Sequence, residues 1–222
     1  MPSFGFITEG KTDQIVIGNI LSGYFNTPDL DFRPFLPLLD ETDKKKENFS
    51  NWKLVLDYCH SDKFKEAFQF IDYLIVQIDT DTCEERHYDI SKLEAGRELP
   101  PEELVEKVSL KLQELIGKDF YTNYSKQIIF AISVHEIECW LLPLYYTDNK
   151  KKKHKGCLAT LNQALCRTEN FRISDSNKNP DYYEIISRKY SKKRTLMSKY
   201  QDNPSLKIFI EEIEKREIII ED

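Results

Sequence analysis

No apolar run in the sequence approaches the roughly 18 to 20 residues that a membrane helix needs, and Glu9 interrupts the N-terminal stretch where a secretory signal would be apolar. Both absences point to a cytoplasmic protein with no membrane partner. Glycine (7) and proline (9) are too sparse for a fibrous or low-complexity chain, while 40% apolar and 12% aromatic residues supply a core. The length, 222 residues, suits one substantial domain or a domain with a helical appendage, and is too short for two full-sized ones. Cys59, Cys83, Cys139, Cys157 and Cys166 form an odd set with no paired framework, as expected where thiols stay reduced. His154, Cys157 and Cys166 lack a fourth ligand at zinc-finger spacing.

Charge is plentiful but unevenly placed. Residues 1–149 hold 15 Lys and Arg against 27 Asp and Glu, a net of −12; residues 150–199 hold 14 against 4, a net of +10; residues 200–222 hold 3 against 7, a net of −4. A basic block on an acidic protein suits a polyanionic partner, because Lys and Arg gain by releasing counterions condensed on phosphates. The run "KKKKHK" at 150–155, taken alone, reads equally as a solvated loop.

Four short apolar runs read as buried parallel strands: "SFGFIT" (3–8), "FRPFLPLL" (32–39, weakened by two prolines), "FIDYLIVQI" (70–78) and "QIIFAISV" (127–134). Amphipathic stretches intervene. "TDQIVIGNILSGYF" puts Ile17, Ile20, Leu21 and Tyr24 on one helical face, and "PPEELVEKVSLKLQELIGK" opens at Pro100 or Pro101 and closes at Gly117. Strand and helix alternating in this way predict an α/β fold with a mainly parallel sheet and right-handed crossovers over residues 1–145. From Glu136 on, "IECWLLPLYY", "CLATLNQALC", "DYYEIISRKYSKKRTLMSKY" and "PSLKIFIEEIEKRE" read as helical, so 146–222 is expected to be a helical extension packed on that domain.

"GFITEGKT" (5–12) matches the phosphate-loop spacing G-x-x-x-x-G-K-[ST], but "FIT" is strand material, and Glu9 would aim a carboxylate at the phosphates. The alternative is a strand ending at Glu9, a turn at Gly10 and a helix from Lys11-Thr12-Asp13. The pattern then recurs: Asp79 and Asp81 follow "YLIVQI", and Glu136 and Glu138 follow "IIFAISV". Acids therefore stand at the carboxyl ends of three strands, where an open parallel sheet binds ligands. Such a cluster needs cations, and oxygen ligands without His or Cys select Mg2+ or Mn2+. Two such ions could stabilise the attacking and departing oxygens of a phosphodiester. Asp13 is either a support for these acids or a helix cap, and Lys11 is a further support. Trp140 with Leu141, Leu142 and Leu144 reads as core. "SRKYSKKRTLMSKY" interleaves Tyr190 and Tyr200 with Lys189, Lys192, Lys193 and Arg194, a combination suited to phosphate contacts plus base stacking, or simply to a solvated face.

The blocks "FITEGKTDQIVIGNIL" and "YLIVQIDTD" resemble the two signature blocks of the TOPRIM domain of topoisomerases, primases and OLD-family nucleases, and "AISVHEIECWLL" is similar to a stretch of small standalone TOPRIM-like proteins encoded beside ABC-type ATPases in bacterial anti-phage systems. The resemblance covers roughly residues 3 to 145. It implies a TOPRIM-like Rossmannoid fold and a Mg2+-dependent nuclease cutting DNA or RNA. Glu9 would be general base or metal ligand, Asp79 and Asp81 metal ligands, and Glu136 and Glu138 supporting acids. The implied partners are a nucleic-acid substrate, an ABC-type ATPase and, as an open possibility, a second copy in a homodimer. The chain is too short for a topoisomerase tyrosine domain or a primase zinc ribbon. The competing readings are an interaction subunit without catalysis and nucleotide hydrolysis at "GKT".

Overall fold

The structure is a computed structural model that describes residues 1–37, 51–176 and 178–220. Four parallel strands form the central sheet: β1 (Ser3–Ile7), β2 (Asp31–Leu36), β3 (Tyr73–Asp79) and β6 (Ile128–Ser133), in the order β2-β1-β3-β6. A two-stranded hairpin, β4 (Leu93–Glu94) with β5 (Arg97–Glu98), lies outside it. The α/β class and the four expected strands are present, with ends shifted by up to three residues. Pro34 is tolerated because β2 is an edge strand, where a missing N–H costs no ladder bond. Residues 38 and 39 of the expected second strand lie outside the described residues.

Strand alternation divides the apolar residues between two cores. Phe4, Phe6, Ile75, Ile129 and Ala131 face one side, and Ile7, Leu74, Val76, Ile78, Ile128, Phe130 and Ile132 face the other. The second side is covered by α2 (Asn51–His60), α3 (Asp62–Ala67) and α4 (Pro101–Ile116), with α5 (Lys118–Tyr124) following after Gly117, whose φ of 93° ends α4. The first side is covered by α1 (Lys11–Phe25) and the C-terminal helices. These are α6 (Glu138–Leu141), α7 (Cys157–Thr168), α8 (Pro180–Ser187), α9 (Lys193–Lys199) and α10 (Pro204–Glu214). Tyr183, Tyr190, Leu206, Phe209 and Ile210 share a single core with β1 and α1, so the extension beyond residue 145 completes a layer of the domain. Trp140 is core, fully buried, stacked on Phe209 and donating to Ser205 Oγ at 2.8 Å.

Two expectations are corrected. The stretch 181–200 is broken into α8, a 3₁₀ turn at Arg188–Ser191 and α9, because Tyr190 turns inward to donate its hydroxyl to the Trp140 carbonyl at 2.6 Å. Tyr190 and Tyr200 are 0% and 8% exposed, so neither can stack on a nucleic-acid base. The odd cysteine count concealed a pair: Cys139 and Cys157 are joined in a disulfide, while Cys59, Cys83 and Cys166 are free thiols.

Helix α1 is packed on both sides, by the sheet and by α8, the 3₁₀ turn and α9, and is accordingly apolar over most of its surface. The closest approach is at Gly23, where a Cβ would lie 1.9 Å from the Tyr190 carbonyl oxygen. Gly23→Ala is therefore expected to destabilise the fold by about 2 to 4 kcal/mol in denaturant unfolding, since backbone rather than a rotatable side chain must give way. A loss below about 0.5 kcal/mol, the range of ordinary surface changes, would contradict this packing.

Candidate functional site

Inserting β1 between β2 and β3 places the chain reversal of the sheet at the β1/β3 boundary, where a crevice opens beyond the strand ends. Glu9 leaves the end of β1 and Asp79 closes β3. Alternation along β3 turns Gln77 and Asp79 toward the α1 side, so two polar residues occupy the face on which Ile75 is apolar core. Gln77 ties them together: its amide oxygen accepts the Glu9 N–H at 3.0 Å and its Nε2 donates to Asp79 Oδ1 at 2.9 Å. Glu9 Oε1 in turn accepts the Asp79 N–H at 2.6 Å. Both carboxylates are thus held in place by neighbouring strands rather than by a loop.

A cavity of about 340 Å³ opens here, lined by Glu9, Lys11, Asp13, Asp79, Asp175 and Lys178 among others. Asp13, in the first turn of α1, is only 6% exposed, and Asp79 8%. Behind the cavity Glu138, fully buried, accepts from Lys178 Nζ at 2.7 Å and from the Tyr183 hydroxyl through Oε1. Its Oε2 has no hydrogen-bond partner. Four acids therefore converge on one ammonium group.

The electrostatics follow from that imbalance. Burial, reinforced by Asp13 and Asp81 and opposed by the Asp79 N–H, pushes Glu9 from 4.5 to about 8. Burial and Glu138 push Asp13 from 3.8 to about 7 against the pull of Lys178. Asp79 is raised well above the usual range by burial, then by Glu9, Asp13 and Glu138. Burial lowers Lys178, but Glu138, Asp79 and Asp13 more than offset it and hold the ammonium above its ordinary value. One lysine does not neutralise the group.

In donor chemistry the set suits a hard divalent cation, although no three of its carboxylates bring oxygens within 4.8 Å of one another. It is all oxygen, it carries excess negative charge, and it includes an orphaned buried carboxylate oxygen at Glu138. Among the described residues, the one group whose ligand atoms lie within 4.8 Å of one another is different: Glu136, Cys139 and Cys157. Its two sulfurs are bonded to each other, so they offer no thiolates.

Of the residues expected from sequence, Glu9, Asp13, Asp79 and Lys11 line the cavity and Glu138 adjoins it. Asp81 is exposed and does not line it, although its charge reaches Glu9; its backbone instead bonds to His135 and Lys92. Glu136 accepts the Leu158 N–H at 2.8 Å and so caps α7, and it does not line the cavity. Lys189 pairs with Glu169 at 2.7 Å. Lys192, Lys193 and Arg194 line a different cavity, beside Asn26 at the far end of α1. From Asp13 to Asn26 the helix rises about 20 Å, at about 1.5 Å per residue.

Sequence reasoning missed Lys178 and Tyr183. Lys178 lies in an aperiodic polar loop; its one signal is the following Asn179-Pro180 pair, where Asn179 Oδ1 accepts the Asp181 N–H at 2.9 Å and marks a helix start. The phosphate-loop spacing is accidental, because Gly5, Phe6 and Ile7 are paired strand residues. No protein-family model matches the chain, and comparison with curated proteins and with solved structures likewise gives no match.

Carboxylates whose folded pKa is raised favour folding while protonated, below about pH 4, and lose that contribution as pH rises through about 7 to 8. In chelator, the unfolding temperature should therefore fall by about 5 °C between pH 5.5 and pH 8, and Mg2+ should restore more at pH 8 than at pH 5.5. A stability that is flat or rising over this interval, with no Mg2+ response, would show that the acids are neutralised internally.

Proposed function

We propose that the chain is a Mg2+- or Mn2+-dependent nuclease of the TOPRIM class that hydrolyses nucleic-acid phosphodiesters. The observation that carries this reading is the convergence of Glu9, Asp79 and Glu138, which follow three parallel strands, and of Asp13 from the first turn of α1, around the Lys178 ammonium at one cavity. Glu9, Asp13, Asp79 and Glu138 would hold the metal. Bound divalent ions supply Lewis-acid charge that stabilises attacking and departing oxygens.

The residues of the chain do the rest. Glu9 is fixed through Oε1 by the Asp79 N–H, which leaves Oε2 to accept the proton of an attacking water. The Lys178 ammonium, kept charged by Glu138, balances negative charge building on the phosphoryl oxygens. Gln77, bonded to both Glu9 and Asp79, sets their separation.

No helix among the described residues is long and apolar enough to cross a membrane. In our reading the protein works in the cytoplasm. There, reductants would open Cys139–Cys157, and the Glu136 bond to Leu158 would still tie α7 to the loop before α6. The resemblance to standalone TOPRIM-like proteins further suggests the toxic effector of an anti-phage system, held in check by an ABC-type ATPase.

The test is cleavage of labelled tRNA and plasmid by the purified chain in Mg2+, Mn2+ or chelator. Glu9→Gln and Asp79→Asn should each lower the rate at least about 100-fold, the usual scale for a general base or metal support, while unfolding temperature stays equal or rises. Asp81→Asn should cost less than about 10-fold. Full cleavage by Glu9→Gln, or cleavage in chelator, would overturn the reading.

A further inference from the structure

A cavity of about 650 Å³ lies away from the acids, between the C-terminal end of α1 and the α8–α9 junction. Its charged lining is Arg188, Lys192, Lys193 and Arg194 against Glu184 alone, a net of +3. Glu184 is already committed, accepting from Arg188 Nε at 3.0 Å and from Asn19 Nδ2 at 3.0 Å. Among the described residues Lys192, Lys193 and Arg194 have no ion-pair partner, unlike Lys151, Lys155, Lys178 and Lys189, which do. The C-terminal dipole of α1 offers only about half a negative charge, too little to account for three unpaired cations. Asn19, Ser22, Thr27 and Ser191 add neutral hydrogen-bonding groups to the same wall.

We infer that this cavity binds the phosphodiester backbone of a nucleic acid, without reading its bases. Cations and hydroxyl or amide groups around a concave surface match phosphate oxygens. No aromatic side chain lines the cavity, and Tyr190 and Tyr200 are buried, so nothing is placed to stack on a base. The site lies about 20 Å along α1 from Asp13, a span of about six phosphates of a duplex strand. It thus anchors a strand whose continuation reaches the acidic cavity, which repels phosphates unless metal is bound. The second half of this statement rests on the nuclease reading; the first half does not.

The test is binding of a fluorescent oligonucleotide of about 20 nucleotides in chelator, where nothing is cleaved. Lys192→Gln/Lys193→Gln/Arg194→Gln should weaken binding about 100-fold near 0.1 M salt and reduce the slope of log K against log salt by about 2, at about 0.7 per phosphate contact for a single strand. Lys111→Gln/Lys118→Gln/Lys126→Gln, the same charge change elsewhere, should leave binding within about 3-fold, and both variants should keep the parent circular dichroism. Equal affinity of the first variant and the parent would overturn the inference. So would displacement of the oligonucleotide by millimolar inorganic phosphate or a nucleoside monophosphate at matched ionic strength, since the cavity would then be a small-anion site. A protein that binds in this manner yet never cleaves with any divalent ion would retain the anchoring site and lose the nuclease.

Discussion

Burial of several carboxylates around one ammonium group is the constraint on which the rest of the molecule turns. Glu9, Asp13, Asp79 and Glu138 are withdrawn from water to the point that three of them resist ionisation, and only Lys178 answers their charge. A fold selected for stability alone would put apolar residues at these strand ends, as it does one or two pleats earlier at Phe6 and Ile75. Retaining acids there costs stability and yields a place where a cation is strongly favoured.

The architecture supports that site from two directions. Glu9 and Asp79 come from adjacent parallel strands and are linked by Gln77, so the sheet sets their positions. Glu138, Tyr183 and Lys178 come from the C-terminal half, whose helices press on α1 closely enough that Gly23 touches backbone. The C-terminal region therefore contributes the counter-cation and part of the acid set as well as covering the sheet. The basic surface also belongs to this half, and α1 spans the distance between the two cavities.

Much of the sheet was legible in the sequence because β-branched runs such as "YLIVQI" leave little else for the chain to be, and the acids that follow them marked the crevice. Local pattern could not show that 181–200 breaks at Tyr190, since the break depends on a carbonyl at Trp140, 50 positions away. The D-x-D spacing at Asp79 and Asp81 suggested a shared site, yet the chain turns at Thr80, whose N–H bonds to Ser133 and His135, and Asp81 emerges at the surface. Asp13, read as support or cap, belongs among the acids because α1 starts directly at the turn. Lys178 carried no periodic signal at all, and Cys139 and Cys157 meet only because α6 packs on the start of α7.

The most direct measurement is anomalous diffraction at the manganese edge from crystals grown with Mn2+. The account predicts a peak within bonding distance of Glu9 and Asp79 carboxylate oxygens, with Lys178 displaced from or bordering the ion. A well-ordered site without a peak there, or manganese found only at other positions, would contradict it.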